Sequence, residues 1–312
     1  MKVFLWHIHG SWTTAFVQGA HEYLFPVMAD RGPDGRGRAR TWEWPSTARE
    51  VTLEEAAHED VDVVVLQRPE ELHGLAERWL GGRRPGRDVP AVYLEHNAPQ
   101  GLVCDMKHHA AGRGDLVIVH VTHFNDVFWD VAGTRTRVIE HGIVDPGYRY
   151  TGELPRSAVV INEPQRRGRV TGTDLLERFE AEAPIDLFGM GTTQLGGLDN
   201  LTQARLHDEI AKRRLYLHPV RWTSLGLSLI EAMHVGMPVV AFAATEVPDA
   251  VPPSAGIVST NIDLLADGIR RLVSKPDEAT LMGRAAREAA LARYGLDRFL
   301  RDWDELLTEV GA

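Results

Sequence analysis

Residues 221–241, RWTSLGLSLIEAMHVGMPVVA, constrain the fold more than any other stretch. A loop runs into a short helix opened at Gly226, Gly236 stops the helix, and a buried strand follows. The amides of the first helical turn have no partner inside the helix, and the helix dipole adds positive character there. The Gly226-Leu227 end is therefore suited to an anion. Glu231 sits about one turn further in. Helical spacing puts Ser228, Glu231 and Val235 on one side and lets Leu229, Ala232 and Met233 pack on the other. A carboxylate repels phosphate but accepts hydrogen bonds from sugar hydroxyls. A nucleoside diphosphate with its phosphates at the turn and its ribose on Glu231 suits both groups.

The rest of the chain repeats this style. Residues 3–8, 61–66, 91–94 and 116–121 are short runs rich in Val, Ile and Leu. So are residues 158–161, 185–188, 215–217 and 239–242. Such runs alternating with helix-like segments predict parallel sheets in an α/β layer fold. A length of 312 residues suffices for two domains. The turn-forming stretch 145–157, DPGYRYTGELPRS, is the expected linker, giving domains of 1–148 and 149–312. Two doubly wound domains across a cleft follow, with ligands at the carboxyl ends of strands. Residues 296–310 are amphipathic, with Leu296, Phe299, Leu300, Trp303, Leu307 and Val310 on one face. Such a helix either packs on its own domain or returns to the first.

Composition excludes several classes. A net charge of −10 argues against a general nucleic-acid binder. Cys104 is the one cysteine, so no internal disulfide forms, which fits a reducing cytosol. No apolar run approaches a membrane span and the start lacks a signal-peptide pattern. The expected location is the cytoplasm, with peripheral attachment to the inner face of the membrane left open. Residues 31–40, RGPDGRGRAR, read as a mobile surface loop. Its Arg31, Arg36, Arg38 and Arg40 either lie in solvent or meet an anionic acceptor or a lipid headgroup.

The 221–241 segment resembles the nucleotide-sugar signature of retaining glycosyltransferases of family four, which have the GT-B fold. Gly226-Leu227, Glu231-Ala232-Met233, Gly236 and Pro238-Val239-Val240-Ala241 match that pattern in register. Two positions depart from it: Thr223 stands where the family has a Glu that contacts the donor sugar, and Ser228 where it has Pro. After the run 159–161 comes NEPQRRGRVTGTDLLERF, similar to the family's diphosphate loop through Gly172, Asp174, Leu175 and Leu176. Arg166 falls at the family Arg, Thr171 at its Lys, and Arg167 and Arg169 lie close by. Arg169 is the candidate to replace the Lys. These cations would hold a diphosphate by charge-assisted hydrogen bonds.

The resemblance implies further positions. His96 ends a strand of the first domain and would orient the sugar or acceptor. Gly10, in the His9-Gly10-Ser11-Trp12 turn, would approach the donor phosphates. Gly189, in Gly189-Met190-Gly191, would line the base pocket through its backbone, and Thr223, Ser224 and Leu225 would flank the donor. His141-Gly142 and Asp145 fall where the family ends its first domain. Glu246 resembles a family Glu after the signature strand and reads as structural. His7 with His9, and His120 with His123, match no standard metal spacing.

The expected activity is transfer of a sugar from a UDP- or GDP-linked donor to an acceptor hydroxyl with retention, His96, Arg166 and Glu231 carrying it. No metal or other cofactor is expected. The acceptor, whether carbohydrate, lipid-linked or small molecule, is not readable. Thr223 and Thr171 keep open a non-catalytic nucleotide-sugar binder, and a GT-B nucleotide-sugar epimerase is the third reading.

Overall fold

The computed structural model describes all 312 residues. The chain divides into two compact units, Met1–Val144 with Leu296–Ala312, and Asp145–Gly295. The first holds seven parallel strands: β1 (Lys2–Leu5), β2 (Glu22–Pro26), β3 (Ala48–Val51), β4 (Val63–Leu66), β5 (Ala91–Glu95), β6 (Val117–His120) and β7 (Arg135–Val138). Their order across the sheet is β3-β2-β1-β4-β5-β6-β7. The second holds five parallel strands: β8 (Leu154–Val160), β9 (Ile185–Phe188), β10 (Arg213–His218), β11 (Val239–Phe242) and β12 (Gly256–Ser259). Their order is β12-β11-β10-β8-β9. Each unit is, as expected, a doubly wound α/β layer built on a parallel sheet.

Central strands such as β4, Val-Val-Val-Leu, are buried throughout, because helices cover both faces of a parallel sheet. β3, β7 and β12 were not among the expected runs. They lie at sheet edges, where AREV, RTRV and GIVS carry polar or half-exposed residues. β2 sits in an apolar run too short to distinguish a strand from a buried helical turn. The expected linker is partly strand: β8 begins at Leu154, and the division between units falls at Val144–Asp145.

The helix Leu296–Gly311 belongs to the first unit, not to residues 149–312 as sequence numbering alone would place it. Phe299, Trp303, Leu306 and Leu307 are buried there. Trp303 meets Trp12 and Phe16 edge-on, with ring centroids at 5.6 and 5.0 Å. Gly142 passes so close to Phe299 that a Cβ would lie 2.3 Å from it. Burying an aromatic of this size contributes roughly 1.5–3 kcal/mol, so the helix is part of the core it covers. No helix of the chain is long and apolar enough to cross a membrane.

Strand order fixes where loops meet. In the second unit the order reverses between β8 and β10, so the loops after these strands lie side by side. In the first unit the reversal falls between β1 and β4. Each reversal leaves a crevice at the carboxyl ends of the strands, and most of the candidate residues lie on the loops there.

Candidate functional site

In the second unit, the loop after β8 leads into the helix Pro164–Thr171, which breaks at Gly168 with φ 37° and ψ −108°. Gly172 then turns with φ +74°, and a Cβ on it would stand 1.9 Å from the Pro219 carbonyl oxygen. Pro219 follows β10, so the glycine is where the two switch-point loops touch. Arg221 reinforces the contact. Its guanidinium donates to both Asp174 carboxylate oxygens, at 2.6 and 3.0 Å, and to the Arg169 carbonyl at 2.7 Å. The Asp174 carboxyl is held low by Arg221.

The arginines differ in setting. Arg166 is exposed and pairs with Glu163. Arg169 is 81% exposed along its side chain and lies 3.7 Å from Asp174. Arg167 is half-buried, and burial with the neighbouring Arg166 charge lowers its pKa. Thr171, at the family's Lys position, is buried. Its hydroxyl lies 3.2 Å from the Gly168 carbonyl and 3.1 Å from the Thr173 hydroxyl, so this position closes the turn.

The helix Leu227–Val235 starts at Gly226, whose φ of −70° and ψ of 120° make it a cap without a side-chain bond. A Cβ on Gly226 would stand 2.6 Å from the buried His218 ring, so any side chain here would have to displace that ring. Leu229 makes the first amide bond back to Gly226, at 3.0 Å. The amides of Leu227 and Ser228 precede it. Both sides of the helix pack: Leu229 to Val235 are all buried. Ser228, at the family's Pro, accepts a 2.9 Å bond from the buried Tyr216 hydroxyl on β10, which ties helix to sheet. Glu231 is 5% exposed, and its Oε2 lies 3.5 Å from Nε2 of His207. His207 therefore joins the candidate site, and no sequence spacing links it to Glu231.

The helix is braced from behind. Gly236 ends it with φ +99°, and Gly283 on the helix Pro276–Tyr294 comes so close that a Cβ would lie 2.2 Å from the Gly236 carbonyl. Arg287 of the same helix donates to the His234 carbonyl and binds both oxygens of Asp145 at 2.8 Å. Glu246 is buried and paired with Arg293 at 2.9 Å. The Gly189 turn packs against the β8 loop: Asn162 Oδ1 accepts from the Met190 amide at 2.9 Å, and a Gly189 Cβ would lie 2.3 Å from the Ile161 carbonyl.

A cavity of about 470 Å³ opens between Arg169, Asp174, Arg221, Phe242 and Ile262. It includes none of Gly226, Leu227 or Glu231. The crevice of the strand reversal, where the first-turn amides of the helix sit, remains the better candidate for a nucleotide.

The first unit brings together a second group. His96 is buried at the end of β5, with Nε2 at 3.2 Å from Gln67 Oε1. The Gln67 amide nitrogen donates to the Trp6 carbonyl at 2.7 Å, which turns its oxygen toward His96. His96 Nε2 is then the donor and Nδ1 the acceptor. Its ring lies 4.0 Å from that of His9 and 6.2 Å, nearly parallel, from that of His141. Burial, then the His9 and His141 charges, hold the His96 pKa well below its usual value. It is a neutral hydrogen-bonding group at pH 7. Gly10, next to His9, carries the Trp42 indole 3.1 Å from where a Cβ would be. Gln67 was not named from the sequence, and His141 was read only as marking the end of the first domain; the β1–β4 reversal and the end of β7 bring both to His96.

Residues 194–289, which include the Gly226 turn and Glu231, match the family model described as glycosyl transferases group 1. The match covers this segment of the second unit, and over it the chain is similar to the group 1 glycosyl transferases. Sucrose-phosphate synthase from Thermosynechococcus elongatus is similar in structure, with a TM-score of 0.74 and 13% identity over 99% of this chain and 98% of that one. HepE from Anabaena, solved in complex with UDP-glucose, gives a TM-score of 0.68 and 14% identity over 99% and 100%. TarM from S. aureus, in complex with UDP among other ligands, gives 0.61 and 15% over 78% and 55%. At these identities the likeness establishes the GT-B fold alone. No curated protein matches it in sequence.

Proposed function

We propose that this chain transfers a sugar from a nucleoside diphosphate sugar, of the UDP type, to an acceptor hydroxyl with retention at the anomeric carbon. One observation carries the reading: a helix N-terminus opened on a glycine, with buried Glu231 one turn in, at the strand reversal of the unit containing the family match. Solved neighbours with the same fold hold UDP or UDP-glucose. The Leu227 and Ser228 amides would meet the diphosphate, with Arg166, Arg167 and Arg169 offsetting charge that develops on the leaving group. Glu231, positioned against His207, would accept from the ribose hydroxyls. His96 would hydrogen-bond a sugar hydroxyl or orient the acceptor. No paired-carboxylate nucleophile is proposed, and no metal.

Three measurements test this. Thermal stabilisation across UDP, GDP, ADP, TDP and their sugars must show a shift with one nucleotide that grows with one sugar. No shift at saturation would remove the donor site altogether. Glu231→Gln should weaken UDP binding about tenfold or more, the loss of a charge-assisted hydrogen bond. Unchanged affinity would take Glu231 out of the site. Sugar transfer should also survive chelation of divalent cations, and loss of activity in EDTA would require a metal in the mechanism.

A second reading is a nucleotide-sugar binder without transfer. Thr171 favours it, because the position that carries a Lys in the family is here a buried hydroxyl inside a turn. Donor hydrolysis or a transferred sugar in the product rejects this reading.

A further inference from the structure

The Arg-rich segment after β2 does more than fill surface. It folds as a closed hairpin, with Val27 bridged antiparallel to Arg36 and the Met28 amide bonded to the Gly35 carbonyl at 2.8 Å. Trp6 Nε1 donates to the Asp34 carbonyl at 3.0 Å. Trp44 packs on His7 with centroids at 4.9 Å and donates to Thr14 at 2.8 Å. Glu50 binds Arg31 with both oxygens, at 2.7 and 3.0 Å, and accepts the Arg38 amide at 2.9 Å. The expected loose loop is therefore a framework with multiple anchors.

Within it lies a cavity of about 420 Å³ lined by His7, Asp30, Arg31, Arg36, Arg38 and Arg40. The Arg31 guanidinium is taken by Glu50, and Arg38 Nη2 by the Trp44 carbonyl at 2.8 Å. The guanidiniums of Arg36 and Arg40 make no hydrogen bond or ion pair within the protein. Asp30 is the one carboxylate in the lining, and one of its oxygens accepts from the Gly32 amide at 3.2 Å. Four arginines against Asp30 and the adjoining Glu50 leave this concave surface net positive, in a protein whose net charge is −10. Burial and the Arg36 charge push His7 down to about 4, so the floor is a neutral imidazole. The same segment brings Trp42 onto Gly10, beside His9 and hence His96.

We propose that this cavity binds an oxyanion group, phosphate or carboxylate, carried by the acceptor, with Arg36 and Arg40 supplying the free charge and the anchored Arg38 setting its position. Arginine suits both groups because its planar fork matches their oxygens. The proposal deepens the transferase reading and rests on it for the word acceptor, while the anion site itself stands on the first unit alone.

The test is calorimetric titration of the full chain with inorganic phosphate, glucose 6-phosphate, glucuronate and glucose, and separately with UDP. The anions should bind and glucose should not. Arg36→Gln combined with Arg40→Gln should lower anion affinity about tenfold or more while leaving UDP affinity and melting temperature unchanged. Arg78→Gln, an exposed arginine outside the cavity, should change neither. Tighter binding of glucose 6-phosphate than of glucuronate identifies a phosphate ester, and the reverse order a carboxylate. Equal binding of glucose and the anions, or a double variant that titrates like the wild type, overturns the proposal. Absence of UDP binding with the anion result intact defeats the donor site and not this one.

Discussion

Gly172→Ala should destabilise the second unit by about 2–5 kcal/mol and abolish nucleotide binding. Two costs add. Alanine at φ +74° pays roughly 1–2 kcal/mol for a left-handed backbone. Its Cβ would also press to 1.9 Å from the Pro219 carbonyl oxygen, and both sides of that contact are buried backbone. Forcing a carbon into such a site typically costs 1–3 kcal/mol or moves the loop. Movement is harmful too, since Pro219 begins the loop that delivers Gly226. Gly196→Ala is the control: its φ is +75°, but no atom lies within 4 Å of a Cβ there. Urea unfolding with parallel UDP titration separates the effects. If both variants shift the midpoint equally, the Gly172–Pro219 contact has no energetic role.

Stability should fall steeply as pH drops from about 6.5 to 5. Burial is the first cause in each case. It lowers His7, His120 and His218 to about 4 and His141 to about 3, and holds His96 well below its usual value. Nearby charge adds to this: Arg36 at His7, and His9 and Arg298 at His141. In the unfolded chain these rings titrate near 6.5. Below that pH the unfolded state takes up protons that the folded state refuses, so acid favours unfolding until the folded pKa is reached. Each such histidine contributes a slope of about 1.4 kcal/mol per pH unit. Glu71 opposes them. Burial, resisted by Arg68, pushes its carboxyl up to about 7. The folded state therefore binds its proton first, and this group gains stability as pH falls from 7 toward 4.5. Four of the five histidines lie in the first unit and one opposing carboxyl does not cancel them. Every tryptophan except Trp222 lies in that unit, so tryptophan emission follows its unfolding. A urea midpoint that stays flat from pH 7.5 to 5.5 would mean these rings are protonated in the folded state.

The parts legible in the sequence share one property: their signal is local. Apolar runs revealed the central strands, and the Gly226–Ala241 stretch carried turn, helix and strand in one window. Of the four edge strands only β9 was legible; β3, β7 and β12 were not, because solvent takes one side and polar residues interrupt the apolar run. Thr171 shows a different limit. Its position in the motif suggested a lost cation, whereas in the fold its hydroxyl closes a turn. Ser228 likewise departs from the pattern, yet it receives Tyr216. Glu231 was legible as a residue but its partner His207 was not, since helix Gln203–Ile210 meets helix Leu227–Val235 only in the folded unit. The His9–His96–His141 group, with Gln67 behind it, joins residues from the ends of four strands. Only strand order assembles it.

The placement of Leu296–Gly311 has a consequence for biosynthesis. The second unit, 145–295, is an insertion: the chain enters it once and must come back. On the ribosome, residues 1–144 emerge first but stay unfinished, with Trp12 and Phe16 lacking the cover that Trp303 provides. The inserted unit has all its strands before that cover exists. The later-synthesised unit is thus free to mature first, and the earlier one waits, with aromatic surface open to chaperones, until the closing helix arrives.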